Sequence, residues 1–154
     1  LLEEYFESVS LKVMDSSLSE WLYSKKYTDT LVTLVSYFGV KFEIDLNEQN
    51  DETKVFDYLR NIFDEIKQRF SGDVHNNHGI SLKYLRSLLI PVAIDIKNDV
   101  KLLSSLRKLA SERGEYAHKR LIKTVLSPED AKDYVNDCLE LCEDVKTKAE
   151  SKFV

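Results

Sequence analysis

Ser111–Arg120 reads SERGEYAHKR. The stretch lies inside a long helical pattern, in which Val100, Leu103, Leu106, Ala110, Arg113 or Gly114, Ala117 and Leu121 recur at the spacing of one helix face. It carries one Arg and one His in the order R-G-E-Y-A-H, with four residues between Arg113 and His118. On an unbroken helix that separation turns the two positions about 140° apart. They share a face only if the helix bends or ends between them, and Gly114 is the residue that most readily permits it. Arg113 is also predicted at the core-facing edge of the apolar stripe, an unusual place for a charge.

Toward the C-terminus the clearest punctuation is Leu126-Ser127-Pro128-Glu129-Asp130. Ser127 is the expected N-cap, Pro128 takes the first helical position, and the two acids complement the helix dipole. The helix that follows runs to about Lys152, with Ala131, Tyr134, Val135, Cys138, Leu141, Cys142, Val145 and Ala149 as its apolar stripe. Cys138 and Cys142 stand one turn apart and have the spacing to share a metal. Their place on the apolar stripe instead predicts buried, inert thiols.

Upstream, Ser81 caps LKYLRSLLIPVAIDIKND, which Pro91 kinks or divides, and Asn98-Asp99 marks a further boundary. Asp73–Gly79, DVHNNHG, reads as a turn-rich solvated loop. Its His75 and His78 invite a metal, but no third ligand lies nearby in sequence, and no metal is assigned. Thr53–Phe70 is a helix whose stripe is Val55, Phe56, Leu59, Ile62, Phe63, Ile66 and Phe70, with Ser71-Gly72 as its expected end.

Glu43–Glu52 is acidic and predicts an exposed connection. Thr28 or Asp29 caps TLVTLVSYFGV, whose β-branched residues permit a strand. The spacing of Leu31, Leu34, Val35 and Phe38 favours a helix ended by Gly39. Leu2–Met14 is a further helix with acids in its first turn, broken at Asp15-Ser16-Ser17. A short aromatic helix then carries Leu18, Trp21 and Leu22, with Trp21 as a core or interface anchor.

These elements assemble into an all-α, up-and-down bundle of four to five main helices with one or two short ones, a single domain over residues 1–154. Four Gly and two Pro leave little room for a loop-rich or all-β fold, while 43% hydrophobic and 32% charged residues fit a globular helical protein. A net charge of −5 argues against broad, non-specific nucleic-acid binding. A local basic patch survives it: Arg107, Lys108, Arg113, Lys119, Arg120 and Lys123 lie together. Two cysteines without a signal peptide predict a reducing, intracellular setting and free thiols. No apolar run reaches the length of a membrane span. The start at Leu1-Leu2-Glu3 predicts a domain excised from a longer protein, and the expected associates are an upstream catalytic domain or a protein partner.

The R-x-x-x-x-H spacing of Arg113 and His118, followed by a basic residue between two long amphipathic helices, resembles the HEPN domain superfamily. The residue after the Arg, usually polar in that superfamily, is Gly114 here. The resemblance implies a small helical bundle. It further implies a metal-independent, cofactor-free endoribonuclease acting as a homodimer, or a non-catalytic module that dimerises or binds RNA or a partner of a larger nuclease. A narrower similarity, to the C-terminal HEPN-like region of RNA endonucleases with a PIN domain upstream, implies nuclear messenger-RNA surveillance.

RNA carries its own nucleophile, the 2′-hydroxyl. Cleavage needs that proton removed, the 5′-oxygen protonated and the phosphorane charge stabilised. On the implied assignment His118 is the acid/base, since an imidazole titrates near neutral pH. Arg113 grips the phosphate with a planar fork. A two-fold dimer supplies the second imidazole. Tyr116, Lys119, Arg120 and Lys123 are the expected RNA-contacting residues. A plainer alternative has Arg113 and His118 capping carbonyls or pairing with Glu112 and Glu115.

Overall fold

The computed structural model describes residues 1–40, 52–76, 78–119 and 126–153, with the backbone alone for 52, 53 and 115–119. Six α-helices and no strand are present among them: α1 (Leu2–Ser24), α2 (Asp29–Phe38), α3 (Glu52–Asn76), α4 (Leu82–Leu89), α5 (Val100–Lys119) and α6 (Pro128–Glu150). Four are long and two short. A single 3₁₀ turn, Ile90–Val92, follows α4. The all-α bundle expected from the periodicities is therefore the observed fold.

α1 is the central post, in contact with α2, α3, α4 and α6, while α5 lies chiefly along α6. Its buried face is Phe6, Ser10, Val13, Met14, Ser17 and Trp21. This face corrects the expected break at Asp15-Ser16-Ser17: the helix runs through it. Ser17 is buried with its hydroxyl hydrogen-bonded to that of Thr28, and Asp15 points outward to Lys67 at 2.8 Å. The polar groups that would have competed with the helix are satisfied by tertiary partners, while Met14 and Trp21 keep the stripe in register. Trp21 packs edge-on against Phe63, ring centroids 4.5 Å apart, and is a core anchor. α1 stops at Lys25, whose left-handed φ of 56° lets its N–H return to the Trp21 carbonyl.

Local signals placed most other ends. Thr28 accepts the Leu31 N–H at 3.2 Å and Gly39 ends α2 at φ 60°. Ser81 accepts from Tyr84 N at 3.2 Å, and Ser127 from Asp130 N at 3.0 Å. Asp99 accepts the N–H groups of Lys101 and Leu102, starting α5. Pro91 divides the segment after α4, as its missing N–H requires.

α3 does not end at Ser71-Gly72. It continues to Asn76, so Asp73–Asn76 is helix rather than loop. Val74, 5% exposed, extends the buried line of Ile66 and Phe70 by one turn. Burying it offsets the roughly 1 kcal/mol that a helical glycine costs. The acidic connection predicted over residues 43–52 lies outside the described residues apart from the backbone of Glu52.

α5 and α6 are joined by a polar clasp that the apolar stripes did not announce. Asp137, buried on α6, accepts from the Ser105 hydroxyl at 2.5 Å and pairs with Lys101 at 2.8 Å. The Lys101 and Ser105 hydrogen bonds hold its carboxyl below the usual range.

Candidate phosphate-binding site

Arg113 is the one predicted site residue whose side chain is described. It is not on the core edge: its side chain is 55% exposed. The buried part of α5 is Leu102, Leu103, Ser105 and Leu106, and burial fades over Leu109 and Ala110. By the turn that carries Arg113 the helix has reached the margin of the bundle, so the stripe position there meets solvent rather than core.

The guanidinium meets the first turn of α1. Arg113 Nη1 lies 2.8 Å from Glu3 Oε2. The other carboxylate oxygen, Oε1, accepts the Gly79 N–H at 2.5 Å and has His78 Nδ1 at 3.7 Å. Gly79 has φ 136°, a conformation that side chains rarely adopt, and it aims this N–H back at α1. Burial pushes the Glu3 carboxyl up, but the Gly79 bond, the Arg113 bond and charge, and His78 outweigh it and hold it below the usual value. One turn on, Glu7 Oε1 accepts from the Tyr84 hydroxyl at 2.6 Å. Burial and that carboxylate push the Tyr84 phenol far up, so it stays protonated as the donor.

Two clefts open beside this cluster and meet at His78 and Ser81. One, of about 320 Å³, is lined by His78, Gly79, Ile80, Ser81, Ala110, Arg113 and Gly114. The other, of about 400 Å³, runs past Lys83 and Tyr84 toward Tyr37 and Phe70.

The third ligand missing beside His78 in sequence comes from α1. Ligand atoms of Glu3, Glu7 and His78 lie within 4.8 Å of one another. Both carboxylates already have donors, and a guanidinium 2.8 Å from Glu3 opposes a cation at the same place. In this cluster the Arg113 guanidinium and the Gly79 N–H are both turned toward the Glu3 carboxylate. His75 is exposed in the last turn of α3.

The predicted bend between Arg113 and His118 is not a helix end. The α5 backbone is helical from Val100 through Gly114 to Lys119, so positions 113 and 118 keep a register of about 140°. Glu112 pairs with Lys108 at 3.8 Å, and the partner of Arg113 is Glu3. The side chains of Glu115, Tyr116, His118 and Lys119, and all of Arg120 and Lys123, lie outside the described residues. Glu3, His78 and Gly79 are the residues that sequence reasoning did not join to Arg113. Each carried a local signal, as a first-turn acid, a loop imidazole or a turn glycine, and none of those signals names a distant partner.

A protein-family model described as RiboL-PSP-HEPN matches residues 1–151, which takes in all six helices rather than the Arg–His stretch alone. Comparisons with curated proteins and with solved structures found no match.

Proposed function

We propose, from the premise that this chain belongs to the RiboL-PSP-HEPN family of the HEPN superfamily, that it acts on RNA, with Arg113 as the residue that meets a phosphate. The observation that supports it is the placement of Arg113: a half-exposed guanidinium on α5 at the mouth of a 320 Å³ cleft, five positions before His118 on the same helix. In the catalytic form of this reading the substrate's 2′-oxygen attacks the adjacent phosphorus. His118 moves the proton, the P–O5′ bond breaks, and the guanidinium fork stabilises the extra negative charge. The products are a 2′,3′-cyclic phosphate and a free 5′-hydroxyl. Two protomers across a two-fold axis provide both the base and the acid. Val135 and Leu139, exposed on α6 at 49% and 55% and one turn apart, are apolar surface open to a second copy, level with the N-terminal half of α5 rather than with Arg113.

A second reading, a non-catalytic module that binds RNA or a partner of a larger nuclease, draws support from the unbroken α5. Within one protomer the register turns positions 113 and 118 away from each other. Single-stranded RNA cleavage in EDTA by wild type and His118→Ala separates the two. The catalytic form predicts a fall of about 10²–10⁴-fold in the variant. Equal background cleavage by both proteins leaves the non-catalytic module.

A further inference from the structure

Glu3 is held in the way an anionic ligand is held. Two donors from two other elements converge on its carboxylate, the Arg113 guanidinium on one oxygen and the Gly79 N–H on the other, and the His78 ring nitrogen stands 3.7 Å from the second oxygen. We infer that His78, Gly79 and Arg113 form a single anion site for a phosphate group, and that Glu3 fills it as an internal competitor. The inference rests on the RNA-acting reading only for the source of the phosphate, a phosphodiester of a single strand.

The chemistry matches. A phosphodiester presents two non-bridging oxygens and one negative charge, and the donors that serve the two carboxylate oxygens serve these equally. A planar guanidinium beside a backbone N–H is a common arrangement for such groups. Access also matches. The 320 Å³ cleft is lined by His78, Gly79 and Arg113, whereas Glu3 reaches them from the α1 side. Arg113 and His78 are 55% and 75% exposed, so an anion entering through the cleft finds both without unfolding any element. Gly79 and Gly114 leave the lining free of side chains at two points, and a Cβ at either would meet nothing within 4 Å.

The competitor can be approached from one side: Glu3 itself is 16% exposed, but the Arg113 end of its ion pair is 55% exposed and stands at a solvent edge, where ion pairs screen readily. An exposed strand of phosphates supplies the same charge many times over, so Glu3 tunes affinity rather than blocking it. A cation held by Glu3, Glu7 and His78 is the opposite use of the same atoms. It requires Arg113 to leave.

The test follows the backbone amide of Gly79 by nitrogen-15 NMR in the full chain at low salt. Inorganic phosphate and a short single-stranded oligouridylate are titrated separately, with zinc as a third arm. Wild type, Glu3→Gln, His78→Ala and Arg113→Ala are compared, and Glu4→Gln controls for net charge. Glu4 is exposed on the same turn and pairs only with the terminal amine among the described contacts.

Both anions are expected to shift Gly79 in the wild type. Glu3→Gln should bind about fivefold more tightly, the range of one surface ion pair removed, and Glu4→Gln should change affinity by less than about twofold. Arg113→Ala and His78→Ala should weaken binding. His78 is exposed, so its variant keeps the test intact even if loss of the Glu3 contact disturbs folding. A Gly79 amide that ignores both anions in wild type and Glu3→Gln overturns the proposal. So does a response to zinc that needs Glu3 and exceeds the response to phosphate. Phosphate binding without RNA binding supports the anion site and removes the RNA reading. RNA binding that leaves Gly79 unmoved and is indifferent to Glu3→Gln keeps the RNA reading and removes this site.

Discussion

Arg113 and Glu3 join the outer part of α5 to the first turn of α1, Nη1 to Oε2 at 2.8 Å. The carboxyl is held below its ordinary value of 4.5, so its contribution to stability is fully present above that pH. It is lost as pH falls through the lower folded value. Wild type should therefore lose more stability than Glu3→Gln between neutral pH and about pH 3, by about 0.5–1 kcal/mol, the range of a solvent-edge pair. Urea unfolding at the two pH values measures it. Parallel losses in the two proteins would show that the pair contributes nothing.

Gly114 is interior to a helix, and a Cβ there would meet nothing within 4 Å. Gly114→Ala should stabilise the fold by about 0.5–1 kcal/mol. Chemical denaturation checks the stability. RNA cleavage by the same variant asks whether flexibility at this position is used, because alanine keeps the helix and restricts bending.

Cys138 is buried and Cys142 half-buried, and both are free. Burial pushes the Cys142 thiol up to about 11, with Cys138 and Glu143 adding to it, and burial followed by Asp137 raises Cys138. At pH 8 the thiolate fraction of Cys142 is then on the order of a hundredfold below that of an ordinary thiol. Iodoacetamide should label neither residue quickly in the native protein, and both at once in urea. Mass spectrometry reads the adducts. Rapid native labelling would mean that α6 leaves the bundle readily.

A homodimer built on the exposed apolar pair of α6 has a direct probe. Leu139→Glu should shift sedimentation toward the monomer while leaving helicity unchanged, because the position is 55% exposed and lies outside the core. A wild type that stays monomeric at high micromolar concentration removes the dimer from the proposed mechanism.

Arg113→Lys separates charge from geometry. Lysine keeps the positive charge but loses the fork, so it should not restore full activity in the catalytic reading. Single-turnover cleavage of single-stranded RNA measures it. Full activity in Arg113→Lys would reduce the role of Arg113 to charge alone.

The sequence by itself determined the helix starts that depend on a few neighbouring residues. Thr28, Ser81, Asp99 and Ser127 cap helices because a side-chain oxygen reaches a backbone N–H two or three positions ahead, and no other element is needed. The apolar stripes of α1, α3 and α6 follow from a period of 3.6, which is enough to choose a helical bundle. Sequence signals failed where burial elsewhere outweighed a local preference. Ser17 kept α1 continuous by meeting Thr28, and Val74 kept α3 continuous past Gly72. They also failed for Asp137, a carboxylate inside an apolar face, whose partners Ser105 and Lys101 belong to another helix.

The Arg–His spacing was legible at once, and so was the family resemblance. What only the tertiary structure decided was the company Arg113 keeps. Glu3, Gly79 and Arg113 belong to α1, a loop and α5, and they meet because α1 crosses the bundle as its central post. Sequence periodicity reports which face of a helix is apolar. It carries no record of which distant carboxylate or N–H that face is laid against, because that choice is made by packing across the whole core.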